Sequence, residues 1–164
     1  MALTLKSADV YSTGCVFNVG WLFRRGEQDE DSWADLHHVF FQPGIGHRRG
    51  AGQQTNLMFG VELPDGSKAS TTHQPLPGFP EPTVEPDPPV IALNGGGGSG
   101  GDDELAGSGT VWLWPLPPAG ELRLVVQWTQ FGLAETSVML DGGALRDAAA
   151  GVQRFFPEED TPGL

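Results

Sequence analysis

The sequence predicts a mainly β fold, an antiparallel β-sandwich with two short helices at its margins, with an open barrel as the alternative arrangement of the same strands. Three observations favour this fold class. Apolar and polar residues alternate with a period of two in several segments, as they do in half-buried strands. Several connections between these segments are short enough to join antiparallel neighbours. The chain also carries 24 Gly and 14 Pro, which suits many turns, and its 164 residues fit a single β-rich domain, 1–164.

The N-terminal part of the chain predicts one long strand followed by a helix. Residues 10–24 alternate throughout, and we expect a bend or bulge at Gly14 or Gly20 because the segment is long for a strand. The face expected to be buried carries Tyr11, Thr13, Cys15, Phe17, Val19, Trp21 and Phe23. Residues 31–42 then predict a short helix capped by Ser32. Its apolar residues at helical spacing are Trp33, Leu36, Val39 and Phe40.

The centre of the chain predicts a hairpin and two irregular connections. Within residues 55–72 the alternating residues Leu57, Phe59, Val61 and Leu63 precede Pro-Asp-Gly, in which proline fixes φ and glycine accepts a positive φ. The prolines of residues 74–89 favour an extended connection with polyproline II character. A strand at 90–93 follows. Residues 94–109, rich in glycine and acidic side chains, are expected to form a long flexible loop.

The C-terminal part of the chain predicts three strands and a helix. Residues 109–130 indicate two strands around a proline-rich turn, and residues 134–142 indicate a further strand. Residues 143–156 predict the closing helix, with Asp141 as its cap. The apolar side of this helix carries Leu145, Ala148, Ala149, Val152 and Phe156.

Charge and composition restrict the classes of partner. The formal net charge is -12 and the sequence pI is about 4.5, so binding to a nucleic-acid backbone or an anionic membrane would be opposed electrostatically. The sequence shows no secretory signal pattern and no apolar stretch of membrane-spanning length. The single cysteine, Cys15, excludes a disulfide within the chain. We therefore expect a cytoplasmic protein that binds neither nucleic acid nor membrane.

The glycine-rich segment 94–109 does not match known ligand loops. A phosphate-binding P-loop requires a lysine after its last glycine and a following helix, whereas a strand is expected here. The segment from Gly97 matches a calcium-binding glycine-aspartate repeat only as far as Asp102, since Glu104 takes the place of the apolar residue. Such repeats also bind calcium in tandem copies, and the chain has one. We expect no phosphate or calcium site in this segment.

The sequence favours no metal site and no catalytic nucleophile. His37 and His38 are adjacent on the expected helix, so their side chains point about 100° apart, and His47 lies on the following loop. Three or four convergent ligands are needed to hold a metal ion. Cys15 lies on the most apolar strand face, where a thiol is usually inert. We therefore expect no cofactor and assign no catalytic residue.

A few aromatic and histidine side chains form a candidate binding patch: Trp112, Trp114, Trp128, His37 and His47. Trp112 and Trp114 share one face of their strand, and Val111 and Leu113 are apolar as well. An inward face would make the tryptophans part of the core, and an outward face would make an aromatic patch. The inward arrangement is the expected one.

The C-terminal segment resembles a known group of proteins. Its features are Trp112 to Pro118 (Trp-Leu-Trp-Pro-Leu-Pro-Pro), Gly120, the apolar run from Leu122 to Trp128, the Glu135-Thr136 pair, and Leu140-Asp141 before an alanine-rich helix. This pattern is similar to the C-terminal signature of small uncharacterised β-rich proteins from high-GC actinobacteria. The resemblance implies a compact β-rich domain and transfers no catalytic residue.

These observations together predict a non-enzymatic cytoplasmic module that binds another protein or a second copy of itself. The alternative is a small enzyme or a ligand-binding β-sandwich, with a pocket lined by tryptophan and histidine side chains. A deep pocket with convergent polar groups would favour the alternative, and a flat apolar patch would favour the module.

Overall fold

The computed structural model describes residues 1–41, 57–71 and 87–153. Within these ranges the chain forms eight strands, two α-helices and a short 3₁₀ helix. In chain order they are β1 (Ala2–Val10), β2 (Cys15–Arg24), α1 (Glu30–Phe40), β3 (Met58–Glu62), β4 (Lys68–Ser70), β5 (Val90–Gly100), β6 (Glu104–Trp114), β7 (Glu121–Trp128), the 3₁₀ helix Thr129–Phe131, β8 (Leu133–Asp141) and α2 (Gly142–Ala150).

The strands form two four-stranded antiparallel sheets. Sheet A has the order β1-β2-β6-β5 and sheet B the order β4-β3-β7-β8. The inward side chains of both sheets belong to one apolar core, to which α1 adds Trp33 and Phe40. The predicted mainly β, sandwich-like fold is therefore confirmed, and the described strands do not close into a barrel.

The long N-terminal alternation spans a turn as well as a strand. Cys15, Phe17, Val19, Trp21 and Phe23 are buried as expected, but residues 11–14 form the turn that connects β1 to β2, where the Tyr11 amide donates to the Gly14 carbonyl at 2.9 Å. The expected bend at Gly14 is thus a complete chain reversal.

Strand β1 is absent from the sequence prediction because its alternation is weak. The side chains of Leu3, Leu5 and Val10 are only partly buried against the core. The pairing register with β2 also shifts between Leu5 and Ser7, which breaks the period of two. A bulged, half-exposed strand of this kind gives little pattern in the sequence.

The two helices lie near their predicted positions, with one corrected cap. Asp29, not Ser32, caps α1, since Asp29 Oδ1 accepts a hydrogen bond of 2.7 Å from the Ser32 amide. The hydrogen bond from the Ser32 backbone holds the pKa of Asp29 below its usual value. Asp141 caps α2 as predicted, accepting from the Gly143 and Ala144 amides. The helix ends at Ala150, so it is shorter than expected.

The hairpin of β3 and β4 matches the prediction. Its four alternating residues are all buried: Leu57, Phe59, Val61 and Leu63. Gly66 has a φ of 86°, a left-handed value that glycine adopts at no steric cost. The Leu63 amide donates to the Ser67 carbonyl at 2.8 Å and closes the turn.

The expected loop over residues 94–109 is wrong. Strand β5 continues through the glycines to Gly100, β6 begins at Glu104, and only residues 101–103 form the turn. The other predicted connection, 74–89, lies outside the described residues except for 87–89.

The inward glycines of this hairpin leave space for aromatic side chains. A Cβ at Gly109 would lie 2.9 Å from Trp21 Cη2, and one at Gly107 would collide with Trp21 Nε1. On the neighbouring strand a Cβ at Gly98 would lie 2.7 Å from Phe41 Cε1. Real Cβ atoms do not tolerate such separations. The glycines therefore allow Trp21 and the end of α1 to lie directly against the backbone of sheet A.

We expect Gly107→Ala to lower the free energy of unfolding by about 2 kcal/mol, because overpacking forces Trp21 out of its position. The matched control is Gly95→Ala on the adjacent strand, where a Cβ meets nothing within 4 Å. That control should be neutral or stabilising by about 0.5 kcal/mol, since alanine restricts the unfolded chain. Urea unfolding measures both values, and equal effects of the two variants would contradict the packing role of Gly107.

Candidate protein-binding surface

The structure separates the five residues of the predicted patch. Trp128 is fully buried, and its ring stacks on Phe40 with centroids 5.7 Å apart. Trp112 and Trp114 lie half-buried on the outer face of sheet A. His37 lies on α1, and His47 lies outside the described residues. The expected inward arrangement of Trp112 and Trp114 is therefore wrong, because Val111 and Leu113 occupy the inward positions at 0% exposure.

An apolar cluster surrounds the two outward tryptophans. Residues directly opposite on antiparallel strands share a face, and Trp112 lies opposite Val16 on β2 and Ala92 on β5. Trp114 lies opposite Val90. We call this cluster the aromatic patch, and its members are Tyr11, Val16, Val90, Ala92, Trp112 and Trp114. Five of them are half-buried and Tyr11 is 48% exposed.

The turn between β1 and β2 supports one side of the aromatic patch. The ring centroids of Tyr11 and Trp112 are 6.0 Å apart. A Cβ at Gly14 would lie 2.9 Å from Trp112 Cζ2, so the indole rests directly on the turn backbone. The Leu116 amide donates to the Thr13 carbonyl at 2.9 Å and ties the end of β6 to the same turn. The patch is therefore held in place by backbone geometry.

The aromatic patch ends abruptly at a polar region of the same face. In the next row of the sheet, Asn18 lies opposite Thr110, and Thr110 lies opposite Asn94. Asn18 Nδ2 donates to Ser7 Oγ at 2.9 Å and to Asp9 Oδ2 at 2.8 Å. An apolar area with a polar rim is the usual anatomy of a protein interface.

A separate groove lies beside α1. Its volume is about 500 Å³, and it is open to solvent along its length. Its lining residues are Trp33, Ala34, His37, His38, Gly100, Gly101 and Asp102. The Arg25 guanidinium carbon lies 5.6 Å from the centroid of Trp33, next to this groove. Of the predicted patch, only His37 contributes.

A second cavity is small. It has a volume of about 20 Å³ between Trp21, Phe40 and the glycines 96–98. Binding sites for small molecules usually measure about 300–1,000 Å³. This cavity could hold about one water molecule and no substrate. Among the described residues, no group of three His, Cys, Asp or Glu side chains could hold a metal ion.

Cys15 is buried in the core of the sandwich. It is 0% exposed, on the inward face of β2. Burial raises the pKa of its thiol to about 11, because the apolar surroundings disfavour the charged thiolate. Since the thiolate is the reactive form, this thiol is a structural side chain at neutral pH.

Comparison with known protein families, characterised proteins and solved structures finds no match to this chain. The resemblance to actinobacterial proteins therefore stays a prediction. No helix in the described part of the chain is both long and apolar enough to cross a membrane.

Cys15 predicts a pH dependence of stability. Its folded-state pKa is raised, so its contribution to stability is complete below the unfolded pKa of about 9 and decreases as the pH rises towards about 11. We expect the wild-type protein to lose more stability than Cys15→Ala between pH 9 and pH 11 in urea unfolding. A thiol reagent should label Cys15 only after unfolding. Rapid labelling of the folded protein at neutral pH would contradict this assignment.

Proposed function

We propose that this protein is a non-enzymatic cytoplasmic module that binds another protein through the aromatic patch. The observation that carries the proposal is the continuous apolar area around Trp112 and Trp114 on an outer sheet face. Aromatic side chains are enriched at the centres of protein interfaces, where they contribute much of the binding energy. Tyr11 and the two tryptophans provide three such side chains in one area.

The fixed geometry of the patch supports binding to a folded or extended protein segment. Trp112 rests on the backbone of Gly14 and is flanked by strands on both sides, so little side-chain entropy remains to be lost on binding. The patch lies on an outer sheet face, which suits a complementary apolar surface better than an enclosed small molecule. The partner should present apolar side chains to the patch and polar groups to its rim.

Charge restricts the class of partner. A net charge of -12 disfavours nucleic acids and anionic membranes, and it favours proteins with a basic surface near the contact. A single buried cysteine is compatible with the reducing cytoplasm.

The alternative is a ligand-binding or enzymatic β-sandwich that uses the groove beside α1. The observation in its favour is that Trp33, His37 and Asp102 all line this groove. A small-molecule library would test it by thermal shift, comparing the wild type with His37→Ala. A compound that stabilises the wild type and not the variant would establish a ligand site there.

The aromatic patch predicts a specific loss of binding in Ala92→Glu. This variant introduces a carboxylate into the patch, directly opposite Trp112, and we expect recovery of the partner to fall at least tenfold. The control is Asn94→Glu, which adds the same charge to the same face two residues along β5 at an exposed position. Quantitative pull-down from the native host's lysate compares the two variants, and thermal melting confirms that both fold.

Equal recovery of every captured protein by the wild type, Ala92→Glu and Asn94→Glu would overturn the proposal. An equal loss of partner recovery in both variants would mean that the added charge, and not the position in the patch, prevents binding. That result would also count against the proposal.

A further inference from the structure

The four edges of the two sheets are not equally protected against pairing with another strand. Natural proteins blunt their sheet edges with bulges, lysines, very short strands or covering elements. Edge β1 has a bulge at Lys6, and edge β4 is three residues long and begins with Lys68. Edge β5 has a register shift between Gly95 and Gly98 and supports the end of α1 through Phe41. Each of these three edges has at least one of the usual protections.

Strand β8 is the least protected of the four edge strands. It has nine residues without proline, lysine or arginine. Its register shift is confined to the start of the strand, where Thr136 lies opposite Val126 and Leu133 opposite Trp128. From Thr136 to Asp141 the pairing with β7 is regular. β8 is the last strand of sheet B, so its outer backbone groups have no strand neighbour within the described residues.

The core-facing side of β8 is only partly covered by the other described residues. Val138 lies opposite the buried Leu124 and so shares its inward face, yet it is 42% exposed. Met139 on the other face is 52% exposed. Added pairing at this edge would bury apolar surface as well as satisfy backbone groups.

We propose that β8 pairs antiparallel with β8 of a second copy of this chain, which joins the two B sheets into one eight-stranded sheet. This inference shares with the proposed function only the premise that the domain contacts protein, and it uses a different surface. Two-fold symmetric dimers are the commonest oligomers of soluble chains, and addition of a strand to an exposed edge is a general mode of recognition.

One register of the β8 pair places the apolar residues Val138, Met139 and Leu140 in its central part. With Val138 on the two-fold axis, Val138 meets its own copy, and Thr136 meets Leu140 on the core-facing side. Ser137 meets Met139 on the other side. All of these pairs fall in the regular part of the strand.

Charge is compatible with this register. Glu135 would lie opposite Asp141 of the second copy, but Arg123 Nη2 lies 3.6 Å from Glu135 Oε1 and offsets its charge. Arg123 Nε also donates to Ser137 Oγ at 3.0 Å, which fixes the guanidinium on this face. The remaining opposition comes from Asp141 and from the overall net charge of each copy. Salt screens it, so the dimer should become tighter as salt increases.

Two full-length variants test whether β8 forms the interface. Sedimentation of the wild type from low to high micromolar concentration should give a monomer–dimer equilibrium, and Val138→Lys should weaken dimerisation at least tenfold. Val152→Lys is the control, because Val152 is 40% exposed and lies outside β8. Ala92→Glu should leave the dimer unchanged. The β8 proposal and the proposed function of the aromatic patch can therefore fail independently of each other.

Cysteine crosslinking tests the register. Opposite Cα atoms in an antiparallel pair are about 5 Å apart, within the range of a disulfide, so Val138→Cys should form a crosslinked dimer under mild oxidation. Thr136→Cys is the matched control on the same face. Its two thiols would be separated by four residues along the strand, or about 13 Å, and should not crosslink. The buried Cys15 should not contribute.

A monomer at every protein concentration and salt level would overturn the proposal. A dimer that Val138→Lys does not weaken would also overturn it. Equal crosslinking at positions 136 and 138 would exclude the proposed register.

Discussion

The packing of the Trp21 indole against the glycines of β6 determines how the rest of the sandwich is built. Gly107 and Gly109 provide no side chain, so the ring lies directly on the strand backbone. From this position Trp21 meets Trp128 edge-on, with ring centroids 6.1 Å apart. Trp128 in turn stacks on Phe40 and so connects α1 to both sheets. Overpacking at either glycine would displace this whole aromatic series, because protein interiors have little free volume.

The same constraint explains why the sequence predicts some strands well and others poorly. Strands β2, β3 and β7 place large apolar residues at every second position, and these residues identify their buried faces without any other information. In the glycine-rich halves of β5 and β6 the period of two is invisible, since glycines on both faces look alike. Gly107 and Gly109 are needed because Trp21 lies against them, and Trp21 is more than 80 residues away in sequence.

The aromatic patch was only partly predictable for a related reason. Alternation correctly places Trp112 and Trp114 on one face, but Val111 and Leu113 are also apolar, so the pattern alone does not decide which face is buried. Extending the alternation of β2 through the turn predicts that Tyr11 is buried. The chain reversal at residues 11–14 instead places Tyr11 beside Trp112. Val16, Val90 and Ala92 join the patch only through strand pairing, which no local pattern specifies.

The two proposed surfaces are geometrically compatible and would reinforce each other. A two-fold axis perpendicular to the joined B sheet keeps both core-facing sides on the same side of that sheet. Both A sheets would therefore lie on that side, and their outer faces, with the two aromatic patches, would face the same direction. A partner with two binding segments could then engage both patches, and its second contact would form at a high effective concentration. Dimerisation through β8 would in this way strengthen binding at a surface that it does not touch.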